Sequence, residues 1–158
     1  MKCSQCGKIK ADKDVFIIDE TAVCMECFYG KGKPFEIYPI GFAKNDLKRG
    51  EGFRTTGKDK ISRIELIESQ KPFLHKLKEE SSIMIVYYLH KTKNIRSVFE
   101  RGLDGKKVGI FASRTPDRPS RIAVQDVKLL KVEGNTLFVE GLDAINGSPV
   151  LDIKMSWR

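Results

Sequence analysis

All four cysteines of this 158-residue chain lie within its first 27 residues, where they form two Cys-x-x-Cys pairs. The pairs are Cys3-Ser4-Gln5-Cys6 and Cys24-Met25-Glu26-Cys27, with 17 residues between them. Each pair forms a tight turn that directs two sulfurs toward one point, and this separation is typical of a four-thiolate zinc site. We therefore predict that Cys3, Cys6, Cys24 and Cys27 bind one structural zinc ion.

The segment between the two pairs predicts a β-hairpin. Residues 15–18 and 21–23 are short apolar runs, and Asp19-Glu20 is the turn that joins them. Gly7, just after the first pair, suits the positive φ that such a turn often needs. A hairpin of this size is marginal in water, so a bound metal supplies much of its folding free energy. We predict that residues 1–30 form a zinc-ribbon knuckle.

Iron binding and disulfide formation are the alternatives to zinc binding for these cysteines. Iron in a rubredoxin-like site has the same four ligands, so the spacing leaves both metals open. Disulfides are disfavoured because Met1-Lys2-Cys3 runs into charged residues without the apolar stretch of a secretory signal. The longest apolar run, residues 83–89, is too short to span a bilayer. We expect a cytoplasmic protein that does not contact membranes.

The remainder of the chain predicts a second domain, residues 36–158, that is mainly β. Its apolar runs indicate a small β-barrel of about six or seven strands with a short helix, preceded by the zinc-ribbon hairpin. Residues 83–89 hardly alternate between apolar and polar, which predicts a strand buried on both faces. The predicted strands are residues 35–42, 63–68, 83–89, 108–112, 122–132, 136–142 and 150–154, with a helix at 72–80 and a long loop at 43–60.

The net charge of +8 suggests an anionic partner such as RNA. Positive charge is densest in residues 44–60, and Lys31 and Lys33 follow the predicted knuckle. A solvated lysine-rich surface explains the same charges, so both interpretations stay open.

Two later segments are the best candidates for a binding site. In residues 109–120, a predicted strand ends in a loop with Arg114 and Arg118, stiffened by two prolines, which suits a carboxylate or phosphate. A solvated loop with salt-bridged arginines is the alternative. In the second segment, Asp152 alternates with apolar neighbours and either caps a loop or binds a polar ligand. We interpret His90 as a hydrogen-bonded residue at a strand end.

Together these segments resemble the TrmO-like (TsaA-like) methyltransferases, which use S-adenosylmethionine. Members carry Gly-x-Phe-Ala-(Thr/Ser)-Arg-(Ser/Thr)-x-x-Arg-Pro-Asn-Pro-Ile-Gly and, later, Leu-Asp-x-x-(Asp/Asn)-Gly-(Thr/Ser)-Pro-Val-x-Asp-Ile-Lys. The first motif is matched at Phe111, Ala112, Ser113, Arg114, Thr115, Arg118, Pro119 and Ile122, and the second at Leu142, Asp143, Asn146 to Val150, and Asp152 to Lys154. The resemblance spans about residues 36 to 155.

The resemblance implies a β-barrel that pairs into a homodimer, with S-adenosylmethionine bound near the dimer contact and tRNA methylated beside its anticodon. The residues it implies for donor binding are Phe111, Ala112, Ser113, Arg114, Arg118, Pro119, Asp143 and Asp152. The chain departs from the pattern at Ser120-Arg121-Ile122-Ala123, where members have Asn-Pro-Ile-Gly, and the knuckle is an addition.

The sequence therefore leaves three functions open. The first is a methyltransferase that uses S-adenosylmethionine and acts on tRNA. The second is a binding module whose zinc ribbon and basic loop grip RNA or a protein, while the barrel binds the donor without catalysis. The third is a methyltransferase that acts on a protein or a small molecule.

Overall fold

The computed structural model describes residues 1–48 and 60–157. The chain divides into two compact units that alternate along the sequence. Met1–Glu36 and Thr92–Arg121 make the ribbon unit, whereas Ile37–Lys91 and Ile122–Arg158 make the barrel unit. The domain bounds of 1–30 and 36–158 stay a prediction.

The secondary structure is mainly β. The strands are β1 (Val15–Ile18), β2 (Thr21–Cys24), β3 (Gly41–Lys44), β4 (Ile61–Leu66), β5 (Ser82–Tyr88), β6 (Asn94–Ile95), β7 (Val98–Glu100), β8 (Lys107–Gly109), β9 (Ile122–Glu133), β10 (Thr136–Glu140) and β11 (Pro149–Met155). The helices are α1 (Met25–Tyr29) and the 3₁₀ turns Asp12–Asp14, Glu68–Leu74, Leu77–Glu79 and Ile110–Ala112.

The ribbon unit contains the predicted hairpin, with β1 antiparallel to β2. Asp19 and Glu20 both have positive φ, 44° and 65°, as a two-residue turn of the tight hairpin type requires. The structure adds a partner that the sequence did not indicate, because β6 pairs in parallel with β1. A separate hairpin joins β7 to β8.

The barrel unit is a closed six-stranded barrel in the order β10-β4-β3-β11-β5-β9, as the strand count predicted. Every barrel strand pairs antiparallel with both neighbours. Burial alternates along β4, where Ser62, Ile64 and Leu66 point inward. The core is apolar and continuous: Ala43, Ile64, Leu66, Ile83, Ile85, Tyr87, Val127, Leu129, Leu137, Val139, Leu142, Ala144 and Val150.

Several local predictions were wrong. The predicted strand at 35–42 begins only at Gly41, and the 3₁₀ turn Ile110–Ala112 replaces the end of the strand at 108–112. Strand β5 is not buried on both faces, since its positions alternate between buried and half-buried. The alternation was hidden in the sequence because the outward face of the strand also carries apolar side chains. The helix at 72–80 is instead two 3₁₀ turns, separated at Lys76 by a left-handed φ of 62°. The predicted loop at 43–60 lies mostly outside the described residues.

Within residues 1–48 and 60–157, no helix has the length and apolar character needed to cross a membrane.

Candidate metal centre and arginine loop

The four cysteines come together at one point of the ribbon unit. Their sulfurs all lie within 4.8 Å of one another, and the Cys6 and Cys24 sulfurs are 3.9 Å apart. The first pair sits on a turn in which the Gly7 N–H donates to the Cys3 carbonyl (2.9 Å) and Gly7 has a φ of 71°. Cys24 precedes helix α1 and Cys27 lies within it. The four sulfurs are free thiols, placed closely enough to hold one metal ion.

The thiols of the cluster differ in acidity. Backbone N–H groups of Cys6 and Cys24 lower the pKa of Cys3 to about 6, and the Cys24 N–H lies 3.3 Å from the Cys3 sulfur. The neighbouring Cys24 thiol and burial raise the pKa of Cys27 to about 12. One thiolate therefore forms readily, while further ionisation is opposed by sulfur crowding. A metal ion bound here would offset that repulsion and displace the remaining protons.

The predicted donor residues of the first motif lie in a 3₁₀ turn of the ribbon unit and in the loop that follows it. We call residues 113–119 the arginine loop; it follows the 3₁₀ turn Ile110–Ala112. The Ser113 hydroxyl donates to the Ile110 carbonyl (2.8 Å), which fixes the start of the loop. The Arg118 N–H donates to the Pro116 carbonyl (2.7 Å), which tightens its second half.

The two arginines of the loop have different environments. Arg118 is half-buried, and its guanidinium donates to the carbonyls of Ser113 (Nη2, 2.5 Å) and Thr115 (Nε, 3.0 Å). Arg114 is exposed. Arg118 thus shapes the loop from within, using two of its five N–H groups, while Arg114 is available to an external anion.

An exposed aromatic ring precedes the loop. Phe111 is 81% exposed, and Ala112 beside it is exposed as well. A large apolar side chain left in solvent offers a stacking surface, three positions before the exposed Arg114. Pro119, half-buried, accepts a hydrogen bond from the Tyr29 hydroxyl at its carbonyl (3.2 Å).

The two predicted carboxylates belong to the barrel unit. Asp143 lies between β10 and β11, and its N–H donates to Gln125 Oε1 (2.8 Å). Gln125 Nε2 donates in turn to the Gly141 carbonyl (2.6 Å), so one side chain holds both ends of this turn. Burial raises the pKa of Tyr87, and the Asp143 charge adds to that effect.

Asp152 lies in β11 next to an irregularity. The pairing of β11 with β5 shifts between Val150 and Asp152, which interrupts the strict alternation used to predict the side on which Asp152 lies. Its carboxylate accepts from the Ile153 N–H (2.8 Å) and pairs with Lys154 Nζ (2.6 Å). Placement of the aspartates and the arginine loop in one donor site stays a prediction.

Two features of the ribbon unit were missed by sequence reasoning. Tyr29, next to the last cysteine pair, contacts the arginine loop across 90 positions of sequence, which no local pattern indicates. Arg121 has a φ of 54°, and its buried Nε has no hydrogen-bond partner among the described residues. Proline cannot adopt a positive φ, so this backbone does not suit the proline that the resemblance gives at this position.

The sequence model of the tRNA-methyltransferase O N-terminal domain matches residues 52–157, more than half of the chain. The chain belongs to this family. The match includes the arginine loop and the second motif, whereas the cysteine knuckle lies outside it.

This TrmO-family chain covers most of one relative but only a small part of another. An S-adenosyl-L-methionine-binding protein of Archaeoglobus fulgidus is 33% identical over 118 residues, covering 73% of this chain and 85% of the relative. A tRNA (adenine(37)-N6)-methyltransferase of Mus musculus is 41% identical over 81 residues, covering 49% of this chain. The matched part is 19% of that mouse protein, so the chain spans only about a fifth of its length.

Solved structures agree with the fold. A crystal structure of TrmO from Pseudomonas aeruginosa superposes with a TM-score of 0.60 at 23% identity, covering 78% of this chain and 56% of that one. A second TrmO crystal structure gives a TM-score of 0.63 at 24% identity. At these identities the likeness establishes the shared fold.

Proposed function

We propose that the protein is an S-adenosylmethionine-dependent methyltransferase that acts on tRNA. The observation that carries this proposal is the family match over residues 52–157. The Archaeoglobus fulgidus relative, named for binding S-adenosyl-L-methionine, supports the donor. The mouse relative, named as a tRNA (adenine(37)-N6)-methyltransferase, supports the reaction and the acceptor.

Methyl transfer from S-adenosylmethionine requires little covalent catalysis by the protein. The sulfonium of S-adenosylmethionine is an activated donor whose methyl group transfers by in-line displacement, so catalysis rests on alignment of donor and acceptor. The arginine loop can supply the donor's contacts. The exposed Arg114 pairs with the donor carboxylate, and the exposed Phe111 ring offers a surface for the adenine.

We assign zinc to the cysteine cluster. A tetrahedral site with Zn–S bonds of about 2.3 Å has sulfurs about 3.8 Å apart. The 3.9 Å between the Cys6 and Cys24 sulfurs is close to that spacing, and all four sulfurs lie within 4.8 Å. Four thiolates close the coordination shell, so the ion stabilises the knuckle and takes no part in methyl transfer.

The proposed assembly is a homodimer, as the family resemblance implies, and the proposed location is the cytoplasm. Sedimentation velocity at several protein concentrations tests this assembly independently of activity. A monomer at all concentrations would contradict the dimer and leave the proposed donor and acceptor unaffected.

Donor binding is the first test of the function. Calorimetry should show saturable binding of S-adenosylmethionine or its demethylated product, and Arg114→Ala should weaken it severalfold. Arg63→Ala, which removes the same side chain from an exposed position of barrel strand β4, is the matched control and should bind as the wild type does. Absence of binding at millimolar donor would contradict the proposal.

The acceptor is tested by following the methyl group. Protein incubated with methyl-labelled donor is offered total tRNA, a protein extract and a small-molecule extract in separate reactions. The proposal expects label in tRNA, with binding that weakens steeply as salt rises because phosphate contacts release counterions. Label in either other fraction identifies a different methyltransferase, and donor binding without transfer identifies a binding module.

A further inference from the structure

The knuckle holds one tyrosine hydroxyl against the arginine loop. The Tyr29 ring packs edge-on against Phe16 of β1 (centroids 5.4 Å apart) and in a tilted arrangement against Phe28 (4.6 Å), its neighbour in α1. Its hydroxyl donates to the Pro119 carbonyl (3.2 Å). Helix α1 also contains Cys27, so a metal ligand and the tyrosine share a single short helix. Anything that orders this helix therefore also positions the hydroxyl.

The tip of the hairpin makes a second attachment, to residues 94–97. The Asp19 N–H donates to the Ile95 carbonyl (3.0 Å), and Asp19 Oδ1 accepts from the Ser97 N–H (2.9 Å). Hydrogen bonds from Ser97 lower the pKa of Asp19, which indicates that its carboxylate form is stabilised here. Together with the pairing of β1 and β6, these bonds fasten residues 94–97 to the hairpin.

Residues 94–97 in turn hold the arginine loop and the turn before it. The Ser97 carbonyl accepts from the Ile110 N–H (3.0 Å). The Arg96 N–H donates to the Asp117 carbonyl (3.0 Å), and Arg96 Nε pairs with Asp117 Oδ2 (3.1 Å). The loop is thus held directly by Tyr29 at Pro119, and through residues 94–97 at Asp117 and just before its start.

From these contacts we propose that the knuckle is the positioning element of the arginine loop, so that metal occupancy sets the affinity for the methyl donor. The inference rests on the proposed function, since it takes this loop as the donor site. A metal-ordered knuckle keeps the loop in its binding form. Affinity falls in proportion to the fraction of molecules that keep this form, so a loosened loop binds more weakly. Tyr29 is a positioning residue that need not touch the donor.

The direct test is Tyr29→Phe in the full-length, metal-loaded protein, which removes one hydroxyl and keeps the aromatic cluster. Loss of the hydrogen bond to Pro119 should weaken donor binding by roughly two- to tenfold. Hydrogen exchange at the Arg118 N–H, which is bonded to Pro116, should become faster. The zinc content should stay the same, and removal of the metal with a chelator should produce larger changes of the same kind.

Tyr88→Phe, the same deletion in strand β5 of the barrel unit, is the matched control and should leave exchange in the arginine loop unchanged. Different results would contradict the proposed function and the proposed coupling between the knuckle and the arginine loop. A wild-type protein that binds no donor contradicts the proposed function, while the exchange measurement still decides the coupling. An unchanged Arg118 exchange rate in Tyr29→Phe overturns the inference, as does an unchanged donor Kd where the wild type binds.

Discussion

The guanidinium of Arg118 donates from Nη2 to the carbonyl oxygen of Ser113, closing the arginine loop across five positions at 2.5 Å. A second bond from Nε to Thr115 (3.0 Å) makes Arg118 a two-point brace. Arg114, four positions earlier, is exposed. Two arginines that look equivalent in the sequence therefore do different work: Arg118 maintains the loop and Arg114 faces the solvent from which a ligand arrives.

This difference predicts distinct effects of two alanine substitutions. Arg118→Ala removes both brace bonds, so the exchange of amides in the arginine loop should become faster and donor binding should weaken. Arg114→Ala should weaken donor binding with no change in exchange. Replacement of both should cost at least about tenfold in donor affinity, or about 1.4 kcal/mol. Calorimetry and hydrogen exchange measure the two effects, and faster loop exchange in Arg114→Ala would contradict the separation.

The metal site gives the second prediction. Purified protein should contain about one zinc per chain, and Cys27→Ser should lose it, because three thiolates leave the shell open. The knuckle should then unfold, while NMR methyl signals of barrel-core residues such as Ile64, Ile83 and Leu137 persist. Elemental analysis gives the metal content, and Ser4→Ala, beside the ligands, is the control that should keep its zinc. A metal-free, freshly reduced wild type would contradict the site.

The sequence revealed the cysteine cluster and the barrel because both depend on short-range patterns. The spacing of two Cys-x-x-Cys turns predicts four sulfurs close enough to hold a metal, and inward and outward positions alternate along strands such as β4. The strand bounds that were predicted wrongly depend on contacts between residues that are distant in sequence. Residues 35–40 are apolar enough for a strand, yet pairing starts at Gly41, opposite Leu66 and Val150.

The candidate site was less accessible to sequence reasoning. The motif identified the arginine loop. Because Arg114 and Arg118 are the same residue type, the sequence did not predict that their roles differ. The Tyr29–Pro119 contact depends on how α1 meets a loop 90 positions away, and nothing in the local composition encodes it. Gln125, which holds the turn at Asp143, looks in the sequence like an ordinary polar residue of a strand.

Gln125 gives the third prediction. Gln125→Met keeps the length of the side chain but removes its hydrogen bonds to Gly141 and Asp143. The free energy of unfolding should fall by about 1 to 3 kcal/mol, because two backbone groups lose their partners. Gln70→Met, which loses only a 3.5 Å contact with Ser69, is the control and should change stability by less than about 0.5 kcal/mol. Urea unfolding of both variants measures the difference, and equal stabilities would refute the role of Gln125.

Gly41 gives the fourth prediction, for the closure of the barrel. A methyl group at this position would lie 2.5 Å from the Glu65 carbonyl oxygen and 2.8 Å from the Leu66 Cα, both backbone atoms of the paired strand β4. Gly41→Ala must therefore push β3 away from β4 and should cost about 2 kcal/mol or more. Gly32→Ala meets only an ordinary 3.6 Å contact and should be nearly neutral. Thermal unfolding of the two variants compares them, and a neutral Gly41→Ala would show that this pairing tolerates the methyl group.

His90 gives the last prediction, for the pH dependence of stability. Burial lowers the pKa of His90 below its ordinary 6.5, and the positive charge of Lys91 lowers it further. The ring approaches buried Ser148, with 3.4 Å between Nδ1 and Oγ. The folded state therefore prefers neutral His90, whereas the unfolded chain takes up a proton near the ordinary pKa. The associated stability is complete above about pH 6.5 and is lost as the pH falls toward the lowered pKa.

Replacement of His90 should remove that part of the pH dependence. Urea unfolding between about pH 7.5 and pH 5 should show a smaller loss of stability in His90→Gln than in the wild type, because the substituted side chain does not titrate. His75→Gln, which replaces the other histidine of the chain at an exposed position, is the matched control for the substitution itself. Carboxylates contribute equally to all three proteins, so the difference between slopes isolates the imidazole. Equal slopes for His90→Gln and the wild type would show that His90 has the same proton affinity in the folded and unfolded states.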